Sequence, residues 1–477
     1  MLFYALLFAL PFGTRKLLYQ FTPGFHEYET AFVYLSDIFV VAFIIVSVAT
    51  YLRQSGGKSE IQSTKSEINP KSKSAKFKTY LLLAFLLLAG VSVFFASSTG
   101  LALYSFSRLT LAAAFAAATA YALRAGIVRF NAICAVIVAS AVFQSLIAVA
   151  QFAKQGSIGL FWLGEPVLSA NAPGIAKFAV AGGRLLRAYG TFPHPNVLGA
   201  FLVLGLISLY YFLLRNYENI RKYESILLIN GIFFIALGLV LTFSRAAWIV
   251  ALIASIALLL YGLARKELRR RALLLCVTLV ASGYTLVAIL SPFIFSRAHV
   301  DAGEPAVVQR LAYNAMGFAL IKAHPFGVGI GNQVLYAVQN GWYQKFGMDK
   351  AWQWEPVHNI YILMASEIGI GGVVAFMVFL VSLFLNPKSQ ARNSKQYQNP
   401  NAQNSKRFWI FDFGYLNLFR IWDLEFSISA AMLAALLLLG LADHYLWTLQ
   451  QGRLLLWLAI GLAWGGCKTI RKGLGCR

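Results

Sequence analysis

Acid, cysteine and charge are all scarce in this sequence. Asp and Glu together number 18 in 477 residues, and charged residues of either sign make up only 12 %. That excludes an ordinary soluble domain, whose surface needs roughly twice the charge. The few acids form no cluster, and no His-x-x-x-His pair occurs, so the pattern holds no recognisable metal site. The cysteines are four and scattered: Cys134 and Cys276 fall inside apolar runs, Cys467 and Cys476 at the basic C-terminal end. No pair has metal-ligand spacing, which excludes a zinc motif and gives no sign of a disulfide framework.

What is abundant is hydrocarbon. Hydrophobic residues make up 59 % of the chain, and several runs reach the roughly 20 residues that cross a bilayer. The expected fold is all-α: a polytopic membrane protein of about twelve spans, near 2–20, 30–52, 79–98, 103–123, 127–152, 195–214, 225–243, 245–264, 272–294, 358–385, 427–446 and 452–468. The first apolar run reads as the first span rather than a cleavable signal. Two outer loops stand out at 153–194 and 295–357, within one membrane domain covering 1–477. The second carries an amphipathic helix pattern (Val308, Leu311, Ala315, Phe318) that ends at Pro325 and Gly327.

The formal charge of +23 invites a nucleic-acid reading. Its location argues otherwise. Of 41 Lys and Arg, 27 fall in 53–78, 124–129, 215–224, 264–271, 386–425 and 467–477, which all lie on one side in this scheme. That is the positive-inside pattern of a membrane protein, and it puts those loops and both termini in the cytoplasm. Arg15 and Lys16 are then on the wrong side. The stretch 386–426 reads as a basic cytoplasmic insertion; its 386–408 part is of low complexity and should tolerate deletion, and its aromatic end is suited to the membrane surface.

The suspicious polar residues gather at outer span ends. Arg184, Arg187, His194 and Asn196 surround a Gly-Thr-Phe-Pro-His-Pro turn at the mouth of a span, Arg245 closes Thr-Phe-Ser-Arg, and Arg310 begins the amphipathic helix. Arginine beside hydrocarbon is costly and needs a partner, and a phosphate suits its planar fork. Each alone could equally be a snorkelling anchor or a helix-end charge. His358 opens a span in Glu-Pro-Val-His-Asn and titrates near neutrality, so it can take a proton from a hydroxyl; a buried, hydrogen-bonded structural histidine is the plain alternative. Glu355 or Glu367 could orient His358, but Glu367 lies nine residues on, beyond a neighbouring helical turn. Asp443-His444 is a second acid–histidine pair.

Taken in order, Arg187 to Asn196, Thr242 to Arg245, Arg310 with His324 to Asn332, and His358-Asn359 with Glu367-Ile-Gly resemble the O-antigen ligase and polymerase family over most of the chain. The resemblance implies a multi-span glycosyltransferase acting at the outer face of the cytoplasmic membrane. Such enzymes move a glycan from undecaprenyl diphosphate to an acceptor hydroxyl, with no metal, cofactor or nucleotide sugar. Carried over by motif, Arg187, Arg245 and Arg310 would hold the diphosphate, and His358 would be the base. The turn containing Gly329 would shape the site, and Arg184, His194, Asn196, Asn332, Asn359 and Glu367 are supporting candidates. The acceptor would be a lipid, a growing glycan or a protein. A lipid-linked oligosaccharide flippase is the competing class, but it should show two related halves, and none is evident. A purely structural membrane protein would not concentrate His, Arg, Pro and Gly on one side.

Overall fold

A computed structural model describes residues 1–56, 70–169, 172, 174–180, 183–215, 222–298, 304–384 and 423–466. The expected low-complexity stretch 386–408, most of the basic insertion around it, and Cys467 and Cys476 lie outside the described residues. A short helix α1 (Leu2–Ala9) leads into a hairpin of β1 (Arg15–Gln20) and β2 (Thr30–Tyr34). Helices α2 (Leu35–Gly56), α3 (Pro70–Val91), α4 (Thr99–Arg124) and α5 (Phe130–Lys154) follow, then a second hairpin of β3 (Lys177–Val180) and β4 (Gly183–Leu186). Next come α6 (Pro195–Leu214), α7 (Lys222–Leu241), α8 (Arg245–Leu263), α9 (Arg269–Ala298), α10 (Pro305–Ala323), α11 (Gln333–Gln339), α12 (Trp342–Lys345) and α13 (Ile360–Phe384). The chain closes with α14 (Leu424–Leu439), α15 (Tyr445–Thr448) and α16 (Gln450–Gly465).

Among the described residues, nine helices are long and apolar enough to cross a membrane, so the chain is a multi-pass membrane protein. The expected count of twelve differs at both ends. The run 2–20 is not one helix: α1 rises only about 12 Å over its eight residues, and beyond it Pro11 and Gly13 lead into the exposed strand β1. Hydropathy counts apolar residues and misses such breakers. Arg15 and Lys16 therefore sit on a surface hairpin, with Arg15 bonded to Glu27 and lying 4.0 Å from the Phe32 ring. At the other end, α14 and α16 are apolar but only 16 residues each, roughly 24 Å long.

Helix α6 is the centre of the bundle. It is apolar on all faces and buried at nearly every position, as a helix surrounded by others must be. Small residues let its neighbours close in: a Cβ added at Gly199 would lie 2.9 Å from that of Ala247 on α8. Helix α16 packs along α4 the same way, with Gly461 and Gly465 against Ala116 and Ala120. Because α6 is central, whatever caps its N-terminus stands in the middle of one end of the bundle. The starts of α8 and α13 and the ends of α7, α9 and α14 meet there.

Helix α13 is broken at Gly369, whose φ of 77° and ψ of 169° are not helical. The break leaves backbone groups without helical partners, and the turn after α10 supplies them. Val328 and Gly329 donate to the carbonyls of Ser366 and Glu367 (both 2.9 Å), and Ile370 donates to Pro325 (3.1 Å). An interrupted helix is tolerated at membrane depth where protein satisfies it in this manner.

Candidate active site

The turn between α7 and α8 puts Phe243 in the left-handed region, with φ of 48°. The helix-ending carbonyls it exposes are claimed by two arginines. Arg187 Nε donates to Thr242 O (2.7 Å) and Arg297 Nε to Phe243 O (3.1 Å). A cation at a helix C-terminus is favourable, so both guanidinium groups are held rigidly. Arg187 also donates through Nη2 to Asn196 Oδ1 (2.6 Å), and Asn196 Nδ2 donates to Asp443 Oδ2 (2.6 Å). The first turn of α6 thereby ties the loop before it to the turn after α14. His194, the N-cap of α6, accepts from the Asn196 backbone through Nδ1 (3.2 Å).

Arg245, at the start of α8, donates to Glu304 Oε2 (2.7 Å), and Arg297 donates to Glu304 Oε1 (2.9 Å). Arg310, on α10, stands 3.9 Å from Asp443 with 40 % of its side chain exposed. Arg187, Arg245, Arg297 and Arg310 line a single cleft of about 360 Å³, together with Asn196, Ser244 and Asp443. Four guanidinium groups against Asp443 and Glu304 leave a surplus of positive charge. Burial, together with the like charge of Arg297, pushes Arg187 down to about 9. A bound anion would relieve both effects.

Beside Asp443, outside the lining of the cleft, lies a histidine pair. The His358 and His444 rings meet edge to face, 4.7 Å between centroids, and Tyr313 lies flat on His358 at 4.9 Å. His358 Nδ1 is 2.9 Å from Pro356 O, which fixes the neutral tautomer with its proton on Nδ1. Nε2 is then the basic nitrogen, 3.5 Å from Glu355 Oε2. Burial lowers the pKa of His358, and Arg310 lowers it further against the opposing pull of Asp443. His444 is pushed down to about 3 by burial and by His358; its Nδ1 is 2.8 Å from Thr448 Oγ1. Burial works to raise the Asp443 carboxyl, but the histidines and Arg310 outweigh it and hold Asp443 well below the usual range. Glu355 moves the other way: burial pushes it up to about 7, with the Asp443 charge adding to the effect. Its side chain is 44 % exposed, so solvent moderates that rise.

Glu355, His358 and His444 bring one ligand atom each within 4.8 Å of one another, a geometry that could accept a metal ion. The guanidinium of Arg310, close enough to depress both histidines, opposes a cation there.

The structure brings together Arg187, Arg245, Arg310, Asn196 and His358 from distant parts of the sequence. Asn359 supports them from behind: its Oδ1 caps α13 and its Nδ2 donates to Leu441 O (3.1 Å), fixing His358 relative to Asp443. Other candidates lie elsewhere. Arg184 is on the exposed strand β4 and outside the cleft. Asn332 holds the start of α4 by accepting from Ser98 N (2.8 Å). Glu367 does not reach His358; it accepts from Trp447 Nε1 (2.7 Å). Gly329 packs on Ala96, and Gly331 lines a different cavity. Sequence reasoning overlooked Arg297 and Glu304, although an arginine ending a span is the same signal that pointed to Arg245. It undervalued Asp443-His444, whose role appears only when α14 and α13 are adjacent.

Residues 230–377, about a third of the chain, match the family model for O-antigen ligases. No curated protein matches the chain.

Proposed function

We propose, from the match of residues 230–377 to the O-antigen ligase family model, that this chain transfers a glycan from undecaprenyl diphosphate to an acceptor hydroxyl without a metal ion. That match supports the coarser reading, a membrane glycan ligase or polymerase. The finer reading rests chiefly on one observation: four arginines from four separate segments line one cleft, and His358 lies close enough to feel the charges of Asp443 and Arg310 in it.

In the step we propose, the acceptor oxygen attacks the anomeric carbon of the donor sugar. The bond from that carbon to the diphosphate oxygen breaks, and its electron pair leaves on the diphosphate. The acceptor proton passes to His358 Nε2. Charge on the leaving group grows as the bond breaks, and guanidinium groups already fixed by Thr242, Phe243, Asn196 and Glu304 stabilise it without reorganising. Direct displacement inverts the anomeric centre. Asp443 holds Asn196 and lies beside Arg310, so it positions the cationic wall.

The distribution of charge supports an outward-facing site. The basic residues Arg53, Arg124, Arg215 and Arg269 to Arg271 lie at the opposite helix ends from the cleft. By the positive-inside rule the cleft then faces outward, where a flipped lipid donor resides.

The test is a transfer assay on purified protein with an undecaprenyl-diphosphate oligosaccharide, a panel of acceptors and excess EDTA. Release of undecaprenyl diphosphate with glycosylated product is the expected result. Product on a lipid, on a second copy of the donor or on a protein distinguishes ligase, polymerase and protein oligosaccharyltransferase. Loss of turnover in EDTA would overturn the metal-independent step, and movement of intact donor across a vesicle membrane would mark a transporter.

A further inference from the structure

A second cavity opens beside the arginine cleft and differs from it in kind. It takes in about 790 Å³ of space, part of it open to solvent, and is walled by β2, α4, the turn before α11, and α15 with the start of α16. From Glu27 and Thr30 at one end it reaches Arg108, nine residues into α4 and so roughly 14 Å below its first turn. Polar groups at that depth are costly and call for a role.

Arg108 is the unusual member. Its side chain is 9 % exposed, and Nη1 donates to Asp37 Oδ2 at 2.6 Å. Its Nη2 is buried with no acceptor. An unmade hydrogen bond on a buried charged donor is expensive, so a ligand oxygen in this cavity would supply what the protein does not.

The chemistry of the walls selects that ligand. Two carboxylates, Glu27 and Glu367, and two guanidinium groups, Arg108 and Arg453, share the lining, and Glu27 is paired with Arg15 as Arg108 is with Asp37, so the walls are balanced in charge. The arginine cleft has a positive surplus and suits a diphosphate. This cavity does not; the carboxylates would repel one. Donors and acceptors set side by side suit hydroxyl groups, which both donate and accept. Tyr28, Tyr104 and Trp447 add aromatic surface for the apolar faces of a ring.

The cavity also abuts the histidine pair. Tyr28 packs against His444, 5.5 Å between ring centroids, Thr448 Oγ1 lies 2.8 Å from His444 Nδ1, and Pro356 O is 2.9 Å from His358 Nδ1; all three residues line the cavity. We propose that this cavity is a saccharide-binding site for an uncharged sugar of the acceptor, held beside the histidine pair. The binding claim stands on the cavity itself; calling the sugar an acceptor rests on the transfer reading above.

The experiment titrates the full-length chain in detergent with the methyl glycosides of glucose, galactose and N-acetylglucosamine, read by saturation-transfer NMR. Undecaprenyl diphosphate binding is measured in parallel. One variant combines Arg108→Gln with Asp37→Asn, so that neither partner is left as a lone buried charge; Glu27→Gln is the second, at a site where misfolding is not expected. Binding of at least one glycoside, weakened on the order of tenfold in both variants, with undecaprenyl diphosphate affinity unchanged, is the expected result. No glycoside bound by the unaltered chain, or equal binding by both variants, would overturn the proposal. So would a loss confined to the lipid diphosphate, which would make the cavity a phosphate site. Glycoside binding without any glycan transfer would leave the saccharide site standing and sink the transfer reading instead.

Discussion

Replacing Arg310 by alanine should separate catalysis from folding more cleanly than any other change in the cleft. Its ion pair with Asp443 spans 3.9 Å, and its side chain is 40 % exposed. A long pair with one half-exposed member contributes about 1 kcal/mol or less to stability. Asp443 is buried, but it keeps its bonds to Asn196 and to the backbone of His444 when Arg310 is removed, so its charge stays hydrogen-bonded. The catalytic effect should be much larger. A fixed donor aimed at developing charge in a dry site is worth about 2.7–4 kcal/mol, or 10² to 10³ in rate, which for the half-exposed Arg310 is an upper bound. Arg310→Ala should therefore transfer glycan up to about 10² to 10³ times more slowly and unfold within about 2 °C of the parent, and Arg310→Lys should recover part of the rate. Arg187→Ala is the contrast. It is buried and donates to Thr242 O and Asn196 Oδ1, and losing it leaves those two oxygens without that donor, at about 1–3 kcal/mol each. Initial rates with lipid-linked donor and thermal unfolding in detergent measure the two effects. Transfer by Arg310→Ala within threefold of the parent would refute the role assigned to this arginine.

His358→Ala should abolish transfer while the protein still inserts. In the parent the rate should rise with pH as His358 loses its proton, with an inflection below 6.5, because burial lowers its pKa and the neutral form is the base. Glu355, pushed up to about 7, should add a second inflection that Glu355→Gln removes; an unchanged profile in that variant would detach Glu355 from the site. Asp443→Asn removes the acceptor of Asn196 and the charge beside Arg310. It should lower stability by about 1–3 kcal/mol and activity further, with chemical denaturation and rate measured on the same preparation. Gly329→Ala should reduce folded yield, since φ there is 97° and a Cβ would lie 2.5 Å from that of Ala96; the strain is about 1–3 kcal/mol, and an unaltered melting temperature would contradict it.

Fold class was legible because hydrocarbon needs no context: apolar runs of 18 residues or more announce membrane helices wherever they occur. Where the reading erred, in 2–20, the run was apolar but carried Pro11 and Gly13, and backbone geometry overrode composition. The site was half legible. Arg187, Arg245, Arg310 and His358 stood out because charge at a span end is costly in itself. Arg297, Glu304 and the Asp443-His444 pair stood out less, being ordinary residues until neighbours reach them. Glu367 read only as a supporting candidate, nine residues from His358, and the fold gives it to Trp447.

Sequence alone, then, determined which residues cannot be left in lipid without a partner, because that is a property of each side chain and its solvent. Which partner each one takes was decided by tertiary structure. Arg187 meets Thr242, Asn196 meets Asp443 and His358 meets His444 across 55, 247 and 86 positions. Hydrogen bonds reach only about 3 Å, so such pairings exist only once the helices around α6 have closed.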